Sequence, residues 1–305
     1  MYRIALILLA VAMSSPATSV QAQGLPPVNL GFTSFMDGGF PAGPGVYFSQ
    51  YGQYFDSQGS PPDVEAAVSL TQLLILWDKE LPFRSKPGFN VILPVASVEL
   101  SGISGPPRDN GAGLGDVLIA PEIQFDLITD DCGNPLLVHR FEAQCIIPTG
   151  KYSNTREVNP GSGFFSFNPY WSATAWLTPK LTTSVRTHYL WNATNDDPSV
   201  NLPGAPSSVK AGEAFHMNFT SAYEVCPKRL RVGVNGYWLK QTTDVEFDGV
   251  DVPGLREQVF GIGPGLLYSF TEDQTSLLFV NTYFESSARN RPEGFRLNMR
   301  YVCKF

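Results

Sequence analysis

The chain has 305 residues and a formal net charge of −7 at pH 7, an acidity that excludes nucleic acid as a partner because a basic face would be needed. Aromatic residues make up 12% and charged residues only 16%, with 28 Gly and 25 Pro, a profile rich in strands and turns. The three His and four Cys residues show no metal-ligand spacing, and nothing in the composition calls for a cofactor.

The chain opens with Arg3, then an apolar run from Ile4 to Met13, then small or polar residues to Ala22. Val20-Gln21-Ala22 fits a small-residue cleavage site, which predicts a signal peptide over 1–22 and export from the cytoplasm. The apolar run is about ten residues, too short for a spanning helix needing ~20. Residues 23–44 form an N-terminal periplasmic leader, Gly- and Pro-rich and carrying Phe32, Phe35 and Phe40. Two states suit such a segment: a disordered leader, or a piece folded against or into the periplasmic mouth.

From residue 45 onward the dominant signal is period-two alternation, with no boundary marking a second domain. In Gly115 to Leu127, one parity holds Val117, Ile119, Pro121, Ile123, Phe125 and Leu127, and the other holds every charge, Asp116, Glu122 and Asp126. Leu181 to Trp191 repeats this, setting Val185, Tyr189 and Trp191 against Arg186 and His188. The last segment sets Phe295, Leu297, Met299, Tyr301 and Phe305 against Arg296, Asn298, Arg300 and Lys304. Such segments fall at 45–56, 65–77, 88–100, 113–128, 136–148, 164–177, 181–193, 212–225, 230–243, 256–270, 275–286 and 294–305. Many exceed the usual five or six residues of soluble strands and reach the roughly nine to eleven needed to cross a bilayer on a tilt. The longest apolar stretch, Leu73 to Trp77, is no transmembrane helix, so only a closed barrel satisfies every backbone group in lipid.

The expected fold is therefore all-β: a transmembrane antiparallel β-barrel of about twelve strands, of the bacterial outer-membrane type, over residues 45–305. An even count puts both termini in the periplasm. The connections at 149–163, 194–211 and 244–255 are long and are assigned outside; 178–180, 226–229 and 271–274 are short and periplasmic. The stretch 78–87 is too long for a tight turn and breaks the pattern. Phe305 is expected at the periplasmic rim, as the handle for the barrel-assembly machinery. Cys132, Cys145, Cys226 and Cys303 would meet an oxidising compartment, with no pairing fixed by spacing.

Several motifs recur in a fixed order. Pro148-Thr149-Gly150-Lys151-Tyr152 precedes Asn159-Pro160-Gly161 and Phe165-Ser166-Phe167-Asn168-Pro169. Gly233-Val234-Asn235-Gly236-Tyr237, Gln241-Thr242-Thr243-Asp244, Gly261-Ile262-Gly263-Pro264-Gly265 and Arg289-Asn290-Arg291-Pro292-Glu293-Gly294 follow. In order and spacing this resembles the outer-membrane channel family named for the meta-cleavage pathway of phenol degradation, from about Gly31 to Phe305. The resemblance implies a porin-like monomer of about twelve strands in outer-membrane lipid and lipopolysaccharide, passing small, often hydrophobic or aromatic, molecules.

With parity fixed, the lumen-lining residues are expected to be Glu122, Gln124, Arg140, Glu142, Asn168, Tyr170, Arg186, His188, His216, Asn218, Asn235, Tyr237, Arg296 and Arg300. Glu122 is placed to pair with Arg140 or Glu142, and Arg296 with Arg300 concentrates cations on one wall. Opposed acidic and basic walls would orient a dipolar solute. The alternative is that the charges brace one another and fill the barrel. A narrow or partly plugged channel for small, moderately apolar solutes is the leading expectation, with no catalytic residues. The rivals are an adhesion or structural barrel, a soluble exported β-sandwich, and a barrel hydrolase, for which no Gly-x-Ser-x-Gly elbow is present.

Overall fold

The computed structural model describes residues 24–57, 63–101 and 109–305; the segment 1–22, expected from the sequence to be a signal peptide, lies outside them. Twelve long strands form one closed antiparallel barrel. They are β1 (Gly45–Ser57), β2 (Asp63–Leu76), β3 (Ser85–Ser101), β4 (Val117–Phe125), β5 (Pro135–Glu142, continued by Cys145–Ile147) and β6 (Ser166–Phe167, then Tyr170–Trp176). The second half comprises β7 (Leu181–Asn192), β8 (Ala214–Cys226), β9 (Leu230–Gln241), β10 (Gln258–Ser269), β11 (Ser276–Arg289) and β12 (Gly294–Lys304). Each pairs with the next, and β12 returns to β1 with Lys304 opposite Tyr47 and Gly294 opposite Ser57. Closure removes every sheet edge, as a barrel in lipid requires.

The alternation places side chains as the bilayer demands. On β7, Thr182, Ser184, Arg186 and His188 are buried while Tyr189 and Trp191 are exposed; on β12, Arg296, Asn298 and Arg300 are buried while Met299 and Tyr301 face out. Outward aromatics gather in two belts. Tyr268, Phe270 and Tyr301 touch near the short turns, and Phe215 with Trp238 and Phe284 with Phe295 meet nearer the long loops.

Near the loop end, β2 and β3 invert this rule. Val64, Ala66 and Val68 on β2 face the lumen with Val98 and Leu100 on β3, while Asp63, Glu65 and Glu99 are exposed outward. With 14 and 17 residues, these strands outrun the roughly nine to eleven that cross hydrocarbon, so their ends project beyond it.

The connection expected over 78–87 is shorter than the sequence suggests, because β3 begins at Ser85. Pro87 lies within β3, and its carbonyl accepts from the Trp77 amide at 3.0 Å near the strand start, where proline is tolerated. The remaining turn closes at Leu81 and Ser85, with Phe83 and Arg84 both at positive φ. The long loops are also more ordered than their Gly/Pro content implies. Thr194–Asn195, Val209–Lys210, Val245–Phe247 and Val250–Val252 form a small four-stranded sheet over the barrel mouth. Leu202, Val209 and Val245 make its core, with Phe247 and Leu255 packed against it. The four cysteines are all free.

Of the two states the sequence left open for residues 24–44, the structure has the folded one, carried beyond the mouth. These residues fold inside the barrel and run its length. The Leu25 amide donates to Glu257 in the β9–β10 loop, and Lys304 at the short-turn rim donates to the Ala42 carbonyl at 2.5 Å.

Two outcomes follow. Met299→Arg on the outward face of β12 should cost about 2–4 kcal/mol in a urea titration of the protein folded into lipid vesicles; Asp251→Arg in the loop sheet should be neutral. In that sheet, hydrogen bonds from Arg256 hold the Asp244 carboxyl below its ordinary value, and those from Ser207 and Ser208 do the same for Asp248. Depressed carboxylate values stabilise the folded form above the unfolded value and lose that effect as pH falls. The protection factor of the Val245 amide, its exchange rate relative to the intrinsic rate at each pH, should therefore fall on acidification below about pH 4 and not on raising pH.

Candidate functional site

The interior is organised by the segment 24–44. It contains a single charged residue, Asp37. Asp37 receives two hydrogen bonds from the Arg186 guanidinium, at 2.6 and 2.8 Å, and one from Arg140 at 3.3 Å. The Ser172 hydroxyl bridges its carbonyl and carboxylate at 2.8 and 2.9 Å. All four groups are buried. A forked guanidinium matches a carboxylate in two parallel bonds, so this contact fixes orientation as well as charge.

The segment around Asp37 fits the barrel wall closely. Gly38 donates to Thr174 at 2.8 Å, and a side chain there would meet the Thr174 amide and the Val138 carbonyl at 2.3 Å. Gly31, at φ 79, donates to Asn218 at 2.7 Å and accepts from Tyr283 at 2.9 Å. Phe35 fills a pocket of Ala222, Leu267, Leu277 and Phe279, and Leu30 packs with Tyr237, Leu239, Val259 and Tyr283. Apolar anchors and a central ion pair make this segment a plug.

Around it, side chains staple strand to strand. Tyr51 donates to Gln72 at 2.6 Å, Gln72 to Asn90 at 2.9 Å, and Asn90 to Glu142 at 3.3 Å. Tyr170 donates to the same carboxylate at 2.6 Å, and Asn168 links Gln144 to His216 at 3.0 Å each. His188 stacks on His216 with ring centroids 4.1 Å apart, and the Arg186 guanidinium lies 4.0 Å over the Tyr170 ring. Nearer the loops, Arg296 joins Glu285 at 2.8 Å, Gln53 at 2.9 Å and the Tyr237 hydroxyl at 3.0 Å.

Glu122, Gln124, Arg140, Glu142, Asn168, Tyr170, Arg186, His188, His216, Asn218, Asn235, Tyr237, Arg296 and Arg300 all lie buried inside the barrel. They do not share one surface. A cavity of about 900 Å³ is bordered by Arg140, Glu142, Arg186, Arg296 and Arg300, whereas the other nine do not border it. The cavity reaches from Tyr152 and Asn290 in the loops to Gln274 at a short turn, along β1, β2 and β3.

The opposed acidic and basic walls expected from the sequence do not form. Glu122 stands in register with Glu142, while Arg140 turns to Asp37 and Arg296 to Glu285. Charge is compensated locally because the plug brings its own acid. Asp37 and Glu285 were missed as partners. Glu285 was legible, sharing parity with Asn281 and Tyr283 on β11; Asp37 was marked only by being the lone charge in its segment. Asp116 accepts from the Gly150 and Ser162 amides and braces a loop, and Asp126 is partly exposed beside Arg84. His139 faces outward, stacked on Phe125 with Trp171 donating to it.

A family model described as "Putative MetA-pathway of phenol degradation" matches residues 43–301. Among solved structures, an outer membrane channel from Pseudomonas putida F1 aligns with TM-score 0.74 at 18% identity, covering 92% of this chain and 100% of that one. The NanC porin aligns at TM-score 0.41 and 12% identity, covering 85% and 98%. The transport unit of the autotransporter AIDA-I from Escherichia coli aligns at 0.46 and 10%, covering 86% and 90%. At 18% identity the likeness to the Pseudomonas putida channel is one of fold, an outer-membrane-type barrel. A comparison with curated protein sequences found no match.

Asp37→Asn should release the plug. Removing one partner of a buried ion pair costs about 3–5 kcal/mol, leaving Arg186 and Arg140 uncompensated. In planar bilayers the variant should show larger and noisier conductance than the wild type, with selectivity moved toward anions. Unchanged current and selectivity would mean that Asp37 does not hold the plug in the lumen.

Proposed function

The chain belongs to the family described as "Putative MetA-pathway of phenol degradation", and on that premise we propose that it is an outer-membrane channel for passive uptake of small, moderately apolar or aromatic solutes. The observation that carries this reading is the partial filling of the lumen. The plug bonds Arg140, Ser172, Thr174, Arg186 and Asn218 on β5 to β8 and rests Phe40 and Ala42 on Tyr47, Leu74 and Leu76 at the short-turn end of β1 and β2, and a cavity of about 900 Å³ beside it runs from the loops to a short turn. Its β2–β3 wall presents Val64, Ala66, Val68, Leu70 and Ile92 rather than charges. A general porin with an open aqueous bore is wetter and wider; twelve strands stand between filled eight-stranded barrels and open sixteen-stranded ones.

On this reading the barrel works as a monomer within outer-membrane lipid and lipopolysaccharide. The long outer loops, gathered into a small sheet, screen the mouth and narrow entry. An adhesion barrel remains the second reading. The compact loop sheet, with its own core of Leu202, Val209 and Val245, offers it little extended surface.

Uptake into liposomes decides between them. Vesicles containing the protein should admit toluate-sized and phenol-sized solutes faster than empty vesicles and should exclude disaccharides. Equal permeation with and without protein, together with silence in planar bilayers, would remove the channel reading.

A further inference from the structure

Most inward arginines are matched by an acid. Arg186 and Arg140 share Asp37, Arg231 meets Glu224 at 3.1 Å, and Arg296 meets Glu285 at 2.8 Å. Arg300 differs. Among the described residues it forms no ion pair, and its Nε has no hydrogen-bond partner although the residue is only 9% exposed. Its guanidinium lies 3.8 Å over the Phe279 ring and 5.7 Å from that of Tyr51, and it borders the cavity. Stacking on an aromatic face leaves the edge of a guanidinium, where its N–H donors point, free for an oxygen ligand.

The barrel register shows what lies beside it. Phe279 on β11, Arg300 on β12, Tyr51 on β1, Leu70 on β2 and Pro94 on β3 occupy one continuous row. The next row toward the loops sets Gln53 beside Val68 and Ala96. One patch of lumen wall thus passes from a cation, through an aromatic ring, to an aliphatic surface within three strands. Adjacent strands are about 4.8 Å apart, so the cation and the aliphatic wall lie roughly 10 Å from each other. That separation matches the length of a carboxylic acid carrying a ring or short chain.

We propose that Arg300 anchors a binding subsite for amphipathic monocarboxylates, with the carboxylate on the guanidinium edge and the apolar body along Tyr51, Leu70 and Val68. The assignment rests on reading the lumen as a solute path, and it narrows the solute from apolar or aromatic molecules in general to their acids. An acid partner in the wall would have cancelled the site, as Glu285 does for Arg296. Neutral aromatics would use the aliphatic wall alone and bind more weakly.

The test uses the folded, detergent-purified protein and isothermal titration with phenylacetate and its neutral isostere phenylacetamide. The wild type should bind the acid roughly tenfold or more tightly than the amide, as a charge-assisted contact implies. Arg300→Gln should abolish that preference while amide binding stays, and Arg300→Lys should retain part of it. Leu70→Glu, which places an acid in the same row, should remove the preference without touching Arg300 and serves if Arg300→Gln does not fold. Equal binding of acid and amide by the wild type overturns the proposal. So does an acid preference that survives Arg300→Gln, which would leave Arg300 a distant counter-charge to Asp37. Acid binding through Arg300 in a protein that passes no solute would keep the subsite and remove the channel reading. Solute passage without acid preference would do the reverse.

Discussion

A sheet inside hydrocarbon has no water to satisfy its edges, so it must close on itself. That constraint governs the rest of this molecule. Once β12 pairs with β1, each strand has one face toward lipid and one toward a confined interior. Most charged side chains of the spanning segments are then driven inward by the period of the strand alone. The interior fills with Arg140, Arg186, Arg296 and Arg300, with Glu122, Glu142 and Glu285, and with a crowd of Asn, Gln and Ser. Confinement favours partner-finding, because an unpaired charge there costs far more than one at an open surface. The hydrogen-bonded chain from Tyr51 through Gln72 and Asn90 to Glu142 is the outcome.

The plug belongs to the same logic. A lumen this rich in arginine carries an excess that the wall acids do not cover, and Asp37 supplies the missing carboxylate where Arg140 and Arg186 converge. Phe35 and Leu30 anchor the segment in apolar recesses on either side of that contact. The segment therefore completes the interior rather than merely obstructing it. The remaining space reaches along β1–β3, where Val64, Ala66, Val68, Leu70 and Ile92 make part of the wall aliphatic and Gln53 donates to the Leu30 carbonyl of the plug at 3.2 Å.

Much of this was legible beforehand. Strand positions, inward parity and the even count follow from alternation, since a one-residue slip of β12 would carry Arg296 and Arg300 into lipid. The failures share a cause. Pro87, Val209 and Val245 sit in stretches whose composition says loop, and local composition carries no information about distant strand partners. Asp37 and Arg186 are 149 residues apart, and only the closed barrel brings them together. The expected opposition of acidic and basic walls failed because it considered wall residues alone. A segment outside the sheet changed the charge balance within it.

The direction of the plug has a consequence for assembly. Residue 25 is held at the loop end and residue 42 at the opposite rim, and β1 begins three residues later. The first strand of the seam is thus tethered to the segment that occupies the bore. Sealing the ring and filling it share one short stretch of chain, so the last step of closure also determines whether the interior cations are neutralised. In an open precursor, with β1 not joined to β12, the segment that neutralises those cations would have no closed bore to occupy.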